Sequence, residues 1–298
     1  MPMRVRLIAL TAFALLVFVA ARAQNSRVKE LAPGVYFWQG DRELREPANC
    51  TWIVFKDYVL VIDANFPWGA RKILQQIKAV TNKPIRFVFD THYHGDHTYG
   101  NSVFTDQGAA ILCSADCAEE LRTKGERGFT NYKDQEHPLT GAHFEPATIT
   151  FSDAMVFDDG THRVEITKVG PGHSKGDSIA YLPKEKILVT GDLCVTWSSG
   201  NNVADPDADH DNWVRALDRM SKLDAKIVIP GHGTPAGPEA LRAQAGYLSD
   251  MISQVRSGKR AGKTADQLAA EIDLSKHGNL AADKQSNASS IRAMYRKL

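Results

Sequence analysis

Apolar, β-rich runs from Thr51 to Phe55 and from Tyr58 to Ile62 flank a polar Lys56-Asp57 turn, the pattern of a hairpin whose second strand stops at Asp63. Pro67 and Trp68 then open a stretch in which Ile73, Leu74, Ile77 and Val80 recur at helical spacing. Pro84 breaks that pattern, and Ile85 to Phe89 reads as a strand running into Asp90-Thr91-His92. The same order returns later: Ser178 to Leu182, a Pro183-Lys184 turn, Ile187 to Thr190 ending at Asp192, a helix from about Asp209 to Leu223, and a strand Ile227 to Ile229 ending at His232. One unit of hairpin, acid, helix, strand and histidine is therefore present twice. Two such units can pack their sheets face to face with helices outside, so the expected fold is α/β, a four-layer αββα sandwich. In both copies the polar residues come where strands end, the usual place for a site in open α/β sheets.

Between the copies, Ala109 to Cys113 reads as strand, Ala115 to Lys124 as helix and Gly125 to Pro146 as a long surface loop. Beyond Pro238 the pattern is helical, with Leu241, Tyr247, Leu248, Met251 and Val255 on one face and weaker helices after Thr264 and Ala288. Residues 24–237 are thus expected to form the sandwich and 238–298 a helical C-terminal extension. At the other end, Arg4 and Arg6 precede an apolar run from Leu7 to Ala21 and the small-residue pattern Ala21-Arg22-Ala23. That is the pattern of a secretory signal (residues 1–23) cut after Ala23, which places the mature chain in the periplasm or outside the cell. The run falls short of the roughly 20 residues that span a bilayer, so no stable membrane insertion is expected, a retained anchor being the alternative.

Composition adds exclusions. With 43% hydrophobic and 24% charged residues the chain is ordinary globular protein. Its formal charge of +1 lacks the basic excess that binding to nucleic acid requires, leaving a small molecule as the expected partner. Cys50, Cys113, Cys117 and Cys194 allow three disulfide pairings in an exported chain, but Cys113 and Cys117 are too far apart for a CxxC pair and buried free thiols are the preferred reading.

The candidate chemistry is concentrated in His92-Tyr93-His94-Gly95-Asp96-His97, four metal-ligand side chains in six residues directly after an apolar strand. Packing does not explain that density, whereas the scattered His137, His143, His162, His210 and His277 need no special role. Gly95 and the preceding strand argue for a turn, which excludes the helical HExxH zinc motif. Three further points of the same kind are Gly170-Pro171-Gly172-His173, Thr190-Gly191-Asp192 and Pro230-Gly231-His232-Gly233.

The HxHxDH motif followed by the later His, Asp and His, in this order over about residues 31 to 235, resembles the metallo-β-lactamase superfamily. The resemblance implies that His92, His94 and His173 ligate one metal and Asp96, His97 and His232 a second, with Asp192 bridging. Seven ligands are too many for one tetrahedral zinc, and the nitrogen and oxygen donors suit two Zn(2+) per chain, with iron or manganese as alternatives. It also implies hydrolysis of an activated carbonyl by metal-bound hydroxide, with Asp96 as the group that orients the nucleophile or passes a proton. Asp63 is a candidate to hydrogen-bond a ligand histidine. The lactamases resembled around Gly170 to His173 carry Cys where Asp192 stands, Arg or Lys where His97 stands, and Lys where Val195 stands. Those departures favour an ester, lactone or thioester over a β-lactam. An exported metal-binding or relay protein with little turnover is the alternative class, and a true class B β-lactamase the alternative within the hydrolases.

Two other motifs compete. Gly172-His173-Ser174-Lys175-Gly176 matches the GxSxG serine elbow, which needs a helix after the serine where the pattern here shows a strand. Gly258 to Thr264 imitates a phosphate loop but is one residue short. Candidates for the substrate pocket are the loop Gln39 to Asn49, Phe66, Trp68, Tyr99 and the loop Leu193 to Pro206 with Trp197, Ser198, Asn201 and Asn202.

Overall fold

The computed structural model describes residues 27–198 and 203–298; the expected leader, Asn201 and Asn202 lie outside the described residues. Strands β1 (Val28–Ala32), β2 (Val35–Trp38), β3 (Cys50–Val54), β4 (Val59–Ile62), β5 (Ile85–Phe89), β6 (Ala110–Ser114) and β7 (Ile149–Phe151) form one sheet in chain order. Strands β8 (Ala154–Asp158), β9 (Arg163–Lys168), β10 (Ser178–Leu182), β11 (Ile187–Val189) and β12 (Ile227–Ile229) form the other, in the order β12-β11-β10-β9-β8. The repeated unit is visible in the pairing: β3 and β4 are antiparallel and β4 runs parallel to β5, just as β10 and β11 are antiparallel and β11 runs parallel to β12.

Strand β4 is apolar without a break and β3 is interrupted only by the buried Thr51, because both their faces are covered. Alternation still sorts their side chains. Ile53, Leu60 and Ile62 join Phe89, Leu182, Ile187 and Ile229 in the layer between the sheets. Trp52, Val59 and Val61 point the other way, against Ile73 and Ile77 of helix α1 (Pro67–Val80). Pro67 suits the start of α1, where no intrahelical bond needs its missing N–H. Val80 shares the periodicity but lies exposed in the last turn.

Helix α1 is followed by the single turns α2 (Gly95–Thr98) and α3 (Asn101–Thr105). The expected loop from Gly125 to Pro146 is corrected here: α4 (Ala115–Glu120) passes through a π-helical turn, Leu121–Gly125, into α5 (Glu126–Thr130), so irregular chain begins only at Asn131. Gly125 and Gly128 hid this continuation, because glycine in a helix interior is unfavourable by about 1 kcal/mol and reads as a break. Strands β1, β2, β8 and β9 carried no recognised pattern; β8, for example, is nowhere fully buried.

On the far face of the second sheet, α6 (His210–Met220) is capped by the Asp209 side chain, which accepts from the Asn212 amide. Its Trp213 and Leu217 pack with Leu188, Val228 and the apolar stripe of α7 (Glu239–Arg260). Helix α8 (Ala265–Glu271) begins with a Thr264/Gln267 capping box, and α9 (Lys284–Lys297) starts four residues before the expected Ala288 because Asp283 caps it. The layers therefore run helix, sheet, sheet, helix, with C-terminal helices on the second sheet. All four cysteines are buried free thiols, and among the described residues no helix is long and apolar enough to cross a membrane.

Candidate metal centre

Each donor sits where a strand runs out. The chain leaves β5 at Phe89 and reaches His92, then His94 at the N-cap of α2, whose single turn sets Asp96 beside His97. His173 lies in the connection from β9 to β10, Asp192 in the 3₁₀ turn Gly191–Leu193 after β11, and His232 beyond β12. Gly231 permits the last approach, since a Cβ there would stand 1.9 Å from Asp192 Oδ1.

Two groups of donors result, their ligand-type atoms all within 4.8 Å of one another in each: His92, His94, His173 and Asp192, then Asp96, His97 and His232. In the first, His94 Nδ1 lies 3.1 Å from His92 Nε2 and 2.9 Å from His173 Nε2. In the second, His232 Nε2 lies 3.4 Å from His97 Nε2 and 3.4 Å from Asp96 Oδ2. Asp192 stands between them, with Oδ2 at 3.5 Å from His173 Nε2 and Oδ1 at 3.3 Å from His97 Nε2. The structure thus brings together all seven residues singled out in the sequence.

The hydrogen bonds behind the rings decide which nitrogens carry protons. His232 Nδ1 donates to the Pro47 carbonyl, 2.8 Å away, because a carbonyl only accepts. His97 Nδ1 donates to Asp63 Oδ2 at 2.8 Å, and His94 Nε2 to Asp205 Oδ2 at 3.0 Å. The Thr91 hydroxyl donates its one proton to Asp63, so its oxygen accepts from His92 Nδ1 at 3.0 Å. In the neutral rings the opposite nitrogens then present lone pairs to one another. Such an arrangement repels itself unless a cation or a proton lies among the donors, and the second rows of acceptors are those that orient metal-ligating imidazoles.

Electrostatics divide the two groups. Although burial opposes charge on His97 and His232, Asp63 and Asp192 hold the His97 ring above its usual range and Asp192 does the same for His232, so in the second group protons stand where a cation would. Burial, reinforced by the neighbouring His97 and His94, holds the His92 ring well below its usual range and therefore neutral. Burial opposes charge on Asp192 too, yet His232 and His97 keep its carboxyl well below the usual carboxylate range. Asp63 reaches both groups: it accepts from the Thr91 amide and hydroxyl and from His97. It holds this place with φ at 60°, and Asn65 with φ at 59°, a left-handed conformation uncommon for residues other than glycine.

Other candidates separate clearly. Ser174 is buried, its hydroxyl donating to Asp177 Oδ1 at 2.6 Å, and strand β10 follows it, so the serine elbow is not built. Cys194 is buried and its thiol is pushed up to about 12 by burial and by Asp192, which disfavours the thiolate a metal would need. Val195 is buried and supplies nothing to the mouth. Trp197 stacks on His232 with ring centroids 4.1 Å apart, and Arg42 from the loop Gln39 to Asn49 lies over the indole at 4.7 Å. Phe66 and Trp68 stack at 4.8 Å, and Tyr99 meets Phe66 edge-on at 6.0 Å. Asp205 was missed in the sequence, where nothing distinguishes it from Asp207 and Asp209. Glu120, Asp205 and Asp207 also converge, but around Lys124 Nζ.

A two-sheet sandwich that gathers histidines and aspartates at its strand ends defines a class of metal-binding hydrolase folds. The sequence profile of the metallo-beta-lactamase superfamily matches residues 44–232, and the chain belongs to that superfamily. It is 22% identical over 249 residues to a linear primary-alkylsulfatase of a Pseudomonas species, covering 70% of this chain and 46% of that one. To metallo-beta-lactamase IND-1 of Chryseobacterium indologenes it is 25% identical over 190 residues, covering 62% and 71%. Among solved structures, a metallo-beta-lactamase from Pontibacter korlensis matches with TM-score 0.62 and 23% identity, covering 74% of this chain and 98% of that one. The sec-alkylsulfatase Pisa1 from Pseudomonas matches with TM-score 0.68 and 19% identity over 91% of this chain and 50% of that one. The chain spans about half the length of both alkylsulfatases.

Proposed function

We propose that this protein is a dinuclear zinc hydrolase that cleaves an activated carbonyl compound, an ester, lactone or thioester, in preference to a β-lactam. The observation that carries the reading is the convergence of imidazole nitrogens and two carboxylates on two adjoining points. Every donor is nitrogen or oxygen, a set that fits zinc and that iron or manganese share. His92, His94 and His173 would hold one ion, Asp96, His97 and His232 the other, and Asp192 would contact both. When bound, the pair of cations lowers the pKa of water and polarises the electrophilic group of the substrate.

The chain's own residues supply the rest. Asp63, Thr91, Asp205 and the Pro47 carbonyl fix the ring orientations, so little reorganisation accompanies the reaction. Asp96 is the more open of the two carboxylates, 24% exposed against 8% for Asp192, and so suits the task of orienting water or accepting its proton. Trp197 on His232 closes one side against solvent. The preference against β-lactams rests on buried Val195, which offers no cation for a lactam carboxylate. A sulfate ester is a second reading, favoured by the alkylsulfatase fold matching 91% of the chain where the lactamase fold matches 74%.

The test is a panel of esters, lactones, thioesters, alkyl sulfates and β-lactams hydrolysed with and without added zinc. Hydrolysis that chelator removes and zinc restores, that Asp192→Ala abolishes and that Ser174→Ala largely retains supports the proposal. A metal-loaded protein inert to the whole panel would instead be a metal-binding or relay protein. An acyl adduct on Ser174 would overturn the metal mechanism.

A further inference from the structure

Beside the first group of donors the fold leaves a cavity of about 600 Å³, and His94 is part of its wall together with Tyr93, Tyr99, Lys124, Arg127 and Pro206. The Tyr93 and His94 rings lie 4.5 Å apart, so a molecule in this cavity meets one donor, His94, whose Nδ1 lies 3.1 Å from His92 Nε2 and 2.9 Å from His173 Nε2. The α4–α5 segment forms the outer wall through its π-helical turn, a local widening that recurs at functional sites. Gly128 keeps the wall open: a Cβ there would come 2.4 Å from the Tyr99 hydroxyl oxygen.

Two cations border the space, and they differ. Lys124 Nζ is committed, 3.0 Å from Glu120, 2.5 Å from Asp207 and 3.7 Å from Asp205, and it lies 4.8 Å over the Tyr93 ring. Arg127, three residues on, is exposed, and among the described residues its guanidinium has no acidic partner. The neighbouring acids are engaged by residues of the wall, Asp207 by Lys124. Glu120 accepts from the Gly176 amide as well as Lys124, and Asp205 accepts from Tyr93 and His94. A single exposed arginine is an ordinary surface feature; one that lines the same cavity as a donor histidine is placed where a substrate passes.

We propose, building on the hydrolase reading of the centre, that this cavity is a subsite for a carboxylate-bearing arm of the substrate, with Arg127 as its anchor. The arm lies along Tyr93 and Tyr99, which cover its apolar carbons, and its carboxylate accepts two parallel N–H bonds from the guanidinium fork. The electrophilic group at the other end faces His92 and His94. The substrate class is therefore an ester, lactone or thioester that also carries a free carboxylate beyond an apolar spacer. Here the anchor comes from α5 rather than from the position of Val195.

Binding without turnover tests this. Zinc-loaded protein, its metal content measured first, is titrated calorimetrically with α,ω-dicarboxylates from succinate to suberate and with the monocarboxylates of matching length. At least one dicarboxylate should bind about tenfold more tightly than its monocarboxylate, the gain of one charge-assisted pair. Arg127→Ala should remove that advantage, and Arg127→Lys should restore part of it because an ammonium cannot make the fork. Equal affinities in the native protein, or an advantage that survives Arg127→Ala, would overturn the subsite while leaving the hydrolase reading intact. Failure to bind zinc would overturn both, and failure to hydrolyse the panel with the dicarboxylate advantage present would overturn the hydrolase reading alone.

Discussion

At the level of single residues, the centre depends on side chains that never face the reacting atoms. Asp205 accepts from His94 Nε2 and from the Tyr93 hydroxyl, and so turns His94 Nδ1 towards His92 and His173. Asp205→Asn keeps the shape but weakens the acceptor, and it should lower zinc affinity of the first site by about 10- to 100-fold, the usual effect of losing such a partner. Competition against a chromophoric chelator measures this, and an unchanged affinity would show that packing alone orients the ring. His232→Ala removes a donor from the second group only. Metal analysis of the folded variant should fall from two equivalents towards one, whereas a native protein saturating at one equivalent would contradict the dinuclear reading.

Among elements, the connection from β9 to β10 shows how a buried acid serves the site at a distance. Asp177 accepts from the Ser174 amide at 2.9 Å and hydroxyl at 2.6 Å, which holds the turn that carries His173. Burial raises its pKa from the ordinary 3.8 to about 7, offset in part by those bonds from Ser174. The folded state therefore keeps a proton that the unfolded chain releases near pH 4. Protonation favours folding most below pH 4, and that contribution is lost as pH rises through about 7. Asp177→Asn should lack this decline, so its unfolding free energy in urea relative to the native protein should rise between pH 4 and pH 7 and then level off. Parallel curves for the two proteins across that interval would contradict the assignment.

On the scale of the whole molecule, the C-terminal helices support the loop that borders the centre. Lys297 Nζ donates to the Ala208 carbonyl at 2.6 Å and Asn279 Nδ2 to the Thr196 carbonyl at 3.3 Å. Helix α9 earns its place through Ile291 and Met294, both buried against the α7 side of the second sheet. Ile291→Ala should therefore destabilise the protein by about 2–5 kcal/mol, the range for truncating a large buried aliphatic side chain. Urea unfolding measures this; a loss below about 1 kcal/mol would mean that α9 is only loosely docked.

Much of this architecture was legible because it is local. The apolar runs around Lys56-Asp57 and Pro183-Lys184 announce hairpins, and the density of ligand-type side chains from His92 to His97 announces chemistry. Asp63 was also visible, as an acid closing a strand. What periodicity misread was equally local: glycines at 125 and 128 looked like a loop within a helix that tertiary packing sustains through Leu121. The arrangement of the donors around Asp192 required the tertiary structure, because His92 and His97, after a strand of the first sheet, meet Asp192 and His232, after strands of the second, only when the two sheets close. Asp205 and Arg127 belong to the same category, whereas Trp197 was a sequence candidate whose stacking on His232 only the structure shows. The types and spacings of Asp205 and Arg127 are unremarkable, and it is the packing of loop and helix against His94 that gives them a role. The chain thus determines by itself which elements form and which side chains can bind metal, since both follow from near neighbours; which atoms face one another is decided by contacts between elements far apart in the chain.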